Sequence, residues 1–194
     1  ILERFAPIDL VVIELESGQV AAGVEASLYD QRAASVDPVT SDLAPDNAAG
    51  VPRVPHYALV YELRDDAGRF EGVVLPVEGL GLWGTLYGFV SLESDLRTVR
   101  GLTFYEHKET PGLGGEVDNP RWKALWPGRL AFDDSLAPAI TVIKGTAGSV
   151  TDAPYEVDGL SGATITSRGV TNLVQFWLGS DGFGRYLERL RGER

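Results

Sequence analysis

The segment DGLSGATITS, residues 158–167, combines small side chains with several hydroxyl groups just before a stretch with helical periodicity. Two chemistries suit such a pattern. Ser and Thr side chains at a helix start accept hydrogen bonds from the free N–H groups of the first turn. Alternatively, these N–H groups and the helix dipole bind an anion, and the small residues let a phosphate approach the backbone. The segment alone leaves both hypotheses open.

Two further glycine-rich segments have the composition of ligand-binding loops. They are GLGLWGTLYG at residues 79–88 and HKETPGLGGE at residues 107–116. Neither matches a P-loop or a dinucleotide-binding fingerprint, so each is also compatible with a simple turn. Together with Trp83 and a candidate phosphate site, however, these apolar loops suit a flat aromatic ring with a phosphate tail.

The residue types present exclude several other chemistries. The chain has no cysteine, which excludes thiolate nucleophiles, Fe–S ligation and zinc–thiolate sites. His56 and His107 lie far apart and lack a local metal-ligand spacing or a nucleophile partner, so we expect neither a metal centre nor a hydrolase. Glu106 and Glu109 are explained as a charged loop beside a strand end. A redox function would therefore require a bound cofactor.

Composition favours one water-soluble domain spanning residues 1–194. The chain is 44% hydrophobic with a formal net charge of -11. This acidity disfavours binding to nucleic acid or, unaided, to an anionic membrane surface. No run approaches the roughly 18 apolar residues of a spanning helix. Because the chain begins at Ile1 rather than at Met, we expect a fragment, and the sequence leaves room for an upstream anchor or signal segment.

The first part of the chain shows strand patterns joined by short turns. Strands are predicted at residues 8–15, 56–63, 69–77, 83–92 and 98–106, and residues 30–56 are predicted to be a long surface connection. Within the fourth strand, Thr85, Tyr87, Phe89 and Ser91 alternate with Leu86, Gly88, Val90 and Leu92. Short turns between successive strands predict an antiparallel meander.

Helical signals dominate the second part. Asn119-Pro120 is a good helix start, and Trp122, Leu125 and Trp126 follow at helical spacing. Residues 139–144 are predicted to form a strand, and residues 185–191 a final amphipathic helix. The segment after DGLSGAT carries an apolar stripe formed by Val170, Leu173, Val174, Trp177 and Leu178. The predicted fold class is α+β, with an antiparallel sheet packed against a few helices.

Three segments in this order resemble one family of respiratory proteins. GLWGTLYGF, FYEHKETPGLGGEVDNPRWKALW and SGATITS are similar to the NqrC family, which belongs to the sodium-translocating NADH:quinone oxidoreductase, and DGLSGAT resembles the motif recognised by bacterial flavin transferases. The similarity covers residues 57–177, whereas residues 1–56 fit less distinctively. The related RnfG family of the Rnf complex shares the ETPGLG and SGAT features, but typically lacks GLW and NPxWKALW.

The resemblance implies a covalent FMN that is joined through its phosphate to Thr164. The three preceding residues of the SGAT motif, Ser161, Gly162 and Ala163, are also expected to contact the cofactor. Thr166, Ser167 and Ser161 are rival hydroxyls, with helix capping as their alternative role. Asp158 is expected to serve recognition by the transferase and its cation. Leu82, Trp83, Thr110 and Leu113 are expected against the flavin ring. Lys144 is either a cation near the ring, where it would favour an anionic reduced flavin, or a solvated strand end. Trp122 and Trp126 are expected in the core.

The resemblance also implies partners and a location. These are the other subunits of a membrane NADH:quinone oxidoreductase complex and, during maturation, a flavin transferase. The family is held in the bacterial inner membrane by an N-terminal helix, which this chain lacks, with the flavin domain on the periplasmic side. Two alternatives stay open, namely an RnfG-type component of a ferredoxin:NAD oxidoreductase and a non-redox domain that binds lipid or peptide.

Overall fold

The computed structural model describes residues 8–193, which form an α+β fold around an antiparallel sheet. In chain order the strands are β1 (Ile8–Glu14), β2 (Ser41–Leu43), β3 (Arg53–Pro55), β4 (Tyr57–Arg64), β5 (Phe70–Leu80), β6 (Thr85–Glu93), β7 (Val99–Glu106), β8 (Thr141–Val142) and β9 (Glu156–Val157). The α-helices are α1 (Gln31–Val36), α2 (Pro120–Lys123), α3 (Thr164–Leu178) and α4 (Gly184–Gly192), and 3-10 helices occupy Ala26–Leu28 and Gly114–Asp118.

The five-stranded sheet has the order β1-β4-β5-β6-β7, with every neighbouring pair antiparallel. The predicted meander is therefore confirmed. Alternation along β6 also matches the prediction, since Leu86, Val90 and Leu92 are buried, whereas Tyr87 and Phe89 are partly exposed on the other face.

Helix α3 covers the buried face of the sheet, and its apolar stripe faces inward as predicted. Two glycines allow the close approach of helix and strand. A Cβ at Gly79 would lie 2.5 Å from the Cβ of Leu173, and one at Gly169 would lie 2.3 Å from the carbonyl oxygen of Leu80. Because Leu80 ends β5, this contact brings the start of α3 close to the glycine-rich loop at residues 81–84.

Residues 30–56 contain more regular structure than a surface connection. Asp30 caps α1 by accepting a hydrogen bond from the N–H of Ala33 at 2.9 Å, and β2 pairs with β3. Asn47 stabilises the turn between these strands, since its side chain accepts from the N–H of Val51 and donates to the Val51 carbonyl. The predicted connection therefore contains a short helix and a pair of short strands, which the sequence analysis did not anticipate because this side-chain-stabilised turn was not recognised.

The strand predicted at residues 139–144 is much shorter. Only Thr141 and Val142 form β8, and β8 pairs in parallel with β9. Lys144 therefore lies in a turn beyond the strand, just before Gly145, whose φ is +90°. Among the described residues, no helix has both the length and the apolar character required to cross a membrane.

Candidate functional site

Thr164 is the first residue of α3, at the end of a tight turn. Gly162 adopts a φ of +71°, which favours glycine, and Ala163 occupies the N-cap position. Within residues 8–193, no side chain caps the start of this helix. The hypothesis that the hydroxyl groups of this segment cap the helix is therefore wrong.

The hydroxyl groups of the segment divide into two pairs. Thr166 is fully buried and donates to Oε2 of Glu109 at 2.5 Å, and the Ser167 hydroxyl accepts from the N–H of Leu160 at 3.0 Å. Ser161 and Thr164 are exposed, and neither hydroxyl forms a hydrogen bond with a residue that the structure describes. Steric access and free hydroxyls therefore favour Ser161 and Thr164 as positions for modification.

A cavity of about 670 Å³ lies beside Thr164. Its walls are formed by β8, the turn that follows it, the DGLSGAT segment and the first two turns of α3; they include Lys144, Asp158, Ser161, Gly162, Thr164 and Arg168. Lys144 and Arg168 are exposed, and within residues 8–193 neither has an ion-pair partner. The cavity therefore presents two cations next to a helix N-terminus, an arrangement that suits an anion.

Arg168 was missed in the sequence analysis. It lies four residues after Thr164, which places both side chains on one face of α3. This spacing was readable from the sequence once a helix starting at Thr164 was assumed.

Asp158 has a structural role in the wall of this cavity. Its Oδ1 accepts from the N–H of Ala147 at 2.9 Å, and its carbonyl accepts from Nε1 of Trp122 at 2.9 Å. These bonds attach the turn after β8 and helix α2 to the DGLSGAT segment. Its expected role in transferase recognition stays a prediction.

Glu109 joins the two glycine-rich loops to α3. The residue lies in the loop after β7, beside a strand end as expected, but it is only 5% exposed. Oε1 accepts from the N–H groups of Leu82 and Trp83, both at 2.9 Å, and Oε2 accepts from the Thr166 hydroxyl. A charged loop beside a strand end is therefore an incomplete explanation of Glu109, whose partners are distant in sequence. Glu106 does lie on the surface, in an ion pair with Arg32.

His107 supports the loop that carries Glu109. Its Nδ1 accepts from the N–H of Glu109 at 3.1 Å, and its Nε2 lies 2.8 Å from Oδ2 of Asp118. The imidazole thus bridges the two ends of the loop, which fixes the backbone at Glu109.

The residues expected against a flavin ring lie on the two loops and are exposed. Trp83 is 63% exposed and therefore does not pack in the core; Leu82, Thr110 and Leu113 are also exposed. A methyl group of Leu113 would lie 3.0 Å from a Cβ at Gly162, so this loop reaches the turn before Thr164. None of the four lines the 670 Å³ cavity. By contrast, Trp122 and Trp126 are buried, as predicted.

The arrangement fits a flat ring with a phosphate tail. Thr164 lines a cavity together with two cationic side chains, and exposed apolar side chains lie on loops that contact the turn before Thr164 or bond to α3 through Glu109. Fold and site together define a flavin-nucleotide-binding domain, and residues 81–179 match the family model described as "FMN-binding domain".

Comparison with related proteins shows to which family of flavin-nucleotide-binding domains the chain belongs. The chain is 48% identical over 183 residues to the NqrC component of the Na(+)-translocating NADH-quinone reductase from Pseudomonas aeruginosa, covering 93% of this chain and 70% of that protein. It is 42% identical over 181 residues to the corresponding protein of Yersinia pestis, covering 93% and 67%. The chain belongs to the NqrC family of the Na(+)-translocating NADH-quinone reductase.

Solved structures agree with this assignment. The crystal structure of NqrC from Shewanella oneidensis superposes with a TM-score of 0.90 at 36% identity, covering 95% of this chain and 84% of the other. The corresponding protein from Parabacteroides distasonis superposes with a TM-score of 0.70 at 28% identity, covering 92% and 77%.

Proposed function

We propose that this chain is an electron-transfer component of a sodium-translocating NADH:quinone oxidoreductase and that it carries FMN as a phosphoester on Thr164. The family assignment supports the FMN and the complex. The observation that supports the attachment point is the exposed Thr164 hydroxyl, which bonds to no described residue and lines a cavity with two cations.

Each part of the site has a role in holding this cofactor. FMN supplies reversible electron transfer, which no side chain of this cysteine-free chain provides. Arg168 and Lys144 place positive charge beside the phosphodiester and the cofactor. The ring packs against the exposed apolar side chains of Leu82, Trp83 and Leu113, next to the exposed Thr110.

The attachment forms one P–O bond. The Thr164 Oγ1 attacks a flavin phosphate that the transferase supplies in activated form, loses its proton and displaces the activating group. The mass of the protein therefore rises by that of FMN less one water. Ser161 is the rival acceptor by exposure, but Thr164 is favoured because it lies one helical turn from Arg168.

The remaining elements of the proposal concern the assembled complex. The chain acts as one flavin domain, residues 1–194, on the periplasmic side of the bacterial inner membrane, next to the other subunits and held by a membrane anchor outside this sequence. By itself it should bind FMN and change redox state, but it should neither oxidise NADH nor transport sodium.

Intact mass spectrometry tests the attachment. Co-expression with a flavin transferase should add one FMN less one water, and Thr164→Val should abolish this addition, because the variant keeps the shape but lacks the hydroxyl. Ser161→Ala serves as the control and should be modified like the parent protein. Flavin mapped to a peptide in which Thr164 is unmodified would disprove the assignment.

A further inference from the structure

Glu109 has contacts that reach beyond its own loop, and they connect the two glycine-rich loops with helix α3. We propose that Glu109 is a positioning residue of the flavin site, which holds the loop at residues 81–84 at a fixed distance from the helix that carries Thr164. The inference rests on the proposed function, because the position of that loop matters to a ring bound through Thr164.

Glu109 accepts hydrogen bonds from two segments, the loop at residues 81–84 and helix α3. Two consecutive backbone N–H groups, those of Leu82 and Trp83, donate to the same oxygen, and the Thr166 hydroxyl donates to the other. These bonds are partly buried, and an N–H group that loses its acceptor there is destabilising, so the oxygens of the buried Glu109 side chain stabilise this conformation of the loop. The Glu109 side chain thus links the loop at residues 81–84 to helix α3.

Glycines in both loops leave space for the carboxylate of Glu109. A Cβ at Gly81 would lie 2.5 Å from Oε1 of Glu109. A Cβ at Gly114 would lie 2.3 Å from Oε2 and 2.6 Å from the Thr166 hydroxyl oxygen. Two glycines of the GLW and ETPGLG motifs are therefore explained by the close approach of the carboxylate and the hydroxyl, rather than by contact with a ligand.

Two substitutions of Glu109 distinguish the effect of its side-chain length from the effect of its charge. Gln at position 109 retains the length and one oxygen for the N–H groups of Leu82 and Trp83, and its amide can donate to the Thr166 oxygen. Asp retains a carboxyl group but is shorter by one methylene, so it cannot reach both partners. If Glu109 positions the loop, Gln should replace it and Asp should not.

Amide hydrogen exchange of Leu82 and Trp83, measured by NMR on protein made without a flavin transferase, tests this directly. Exchange in Glu109→Gln should stay within about threefold of the parent, whereas in Glu109→Asp it should be faster by about tenfold or more, the effect of losing one hydrogen bond. Glu116→Gln, in the same loop, is the matched control and should leave both amides unchanged. Parent-like exchange in the Asp variant, or an accelerated Gln variant with unchanged global stability, would overturn the proposal.

A second variant covers the case in which Glu109→Asp does not fold. Thr166→Val removes the anchor on the helix but retains Glu109, so the exchange of Leu82 and Trp83 should accelerate; unchanged rates would also refute the coupling. In flavinylated protein, iodide quenching of flavin emission should increase in the Asp variant but not in the Gln variant, and equal quenching in both would refute a role at the ring. Because exchange is measured without flavin, failure of flavinylation is detected separately by intact mass.

Discussion

Thr164 and Thr166 are identical residues two positions apart, yet their surroundings give them different roles. The Thr164 hydroxyl is exposed and unbonded with respect to the described residues, whereas Thr166 is fully buried and donates to Glu109. Successive positions on a helix point about 100° apart, so two positions separate a surface group from an inner one. At the scale of single residues, burial rather than residue type selects the proposed attachment point.

The exposure of Trp83 allows its effects on stability and on flavin fluorescence to be separated. Since its side chain is largely exposed, Trp83→Ala should leave thermal stability almost unchanged in the flavin-free protein. In the flavinylated protein it should increase flavin emission, because a ring contact worth about 1 kcal/mol is lost together with quenching by the indole. Fluorescence and thermal melts of the same samples measure both effects.

Tyr105→Ala is the control for this change, because Tyr105 is an exposed aromatic residue on β7. It should leave flavin emission unaltered. Unchanged emission in Trp83→Ala, or a large loss of stability without flavin, would remove Trp83 from the site.

A second prediction at the scale of single residues concerns Glu78 and the pH dependence of protein stability. Burial raises the pKa of Glu78 above its ordinary value of 4.5, an effect that nearby Arg32 partly offsets. Its ionised form is therefore destabilised in the folded state, and this cost is present above the raised pKa but disappears as the pH falls towards 4.5. Glu78→Gln should be more stable than the parent at pH about 8, with a difference that shrinks on acidification.

Thermal unfolding of the parent and Glu78→Gln across this pH range measures the effect. The difference in Tm between the two proteins is the relevant quantity, because it cancels the acid sensitivity of the remaining groups. A difference that grows on acidification would contradict the direction assigned to the pKa shift.

At the scale of elements, the packing of α3 on β5 determines where the site lies. Gly169 contacts the end of β5, where a Cβ would lie 2.3 Å from the Leu80 carbonyl oxygen and 3.2 Å from the Cα of Gly81. Because Gly81 begins the loop that carries Leu82 and Trp83, the separation of helix and strand also sets the position of the proposed ring contact.

Gly169→Ala should therefore destabilise the protein by about 1–3 kcal/mol, although Ala is a better helix former than Gly. The added methyl group would force α3 away from β5. Denaturant unfolding measures the change in the free energy of unfolding. Gly192→Ala at the end of α4 is the control, since no described atom outside its chain neighbours and the nearby backbone of α4 lies within 4 Å of its added Cβ, and it should be close to neutral. An equal effect of both substitutions would contradict the packing argument.

At the scale of the whole molecule, the net charge of -11 contrasts with the two cations that line the proposed phosphate site. Excess negative charge destabilises a compact state through self-repulsion. Raising the salt concentration from about 0.01 M to about 0.15 M shortens the Debye length from about 30 Å to about 8 Å. The Tm should therefore rise over this range.

Sodium chloride and potassium chloride should act alike in this experiment, because screening does not distinguish the two cations. Differential scanning calorimetry in each salt measures the effect. A Tm that falls with salt would indicate that stabilising ion pairs, such as Arg32–Glu106, outweigh the repulsion.

The sequence by itself determined the sheet, the long helix and the family. Alternation in β6 and the apolar stripe of α3 are local patterns that follow from strand and helix geometry, and both agree with the structure. The GLW, ETPGLG and SGAT motifs are contiguous, so their resemblance to the NqrC family was recognisable without coordinates.

Only the tertiary structure decided the role of Glu109 and the exposure of the hydroxyl groups. Glu109 and Thr166 are 57 residues apart in the chain, so no local pattern shows that they meet. Likewise, the cavity brings together Lys144 and Arg168 from a turn and a helix. Hydrogen bonds and burial at this site depend on how α3 packs against the sheet, and that packing results from contacts between segments that are distant in sequence.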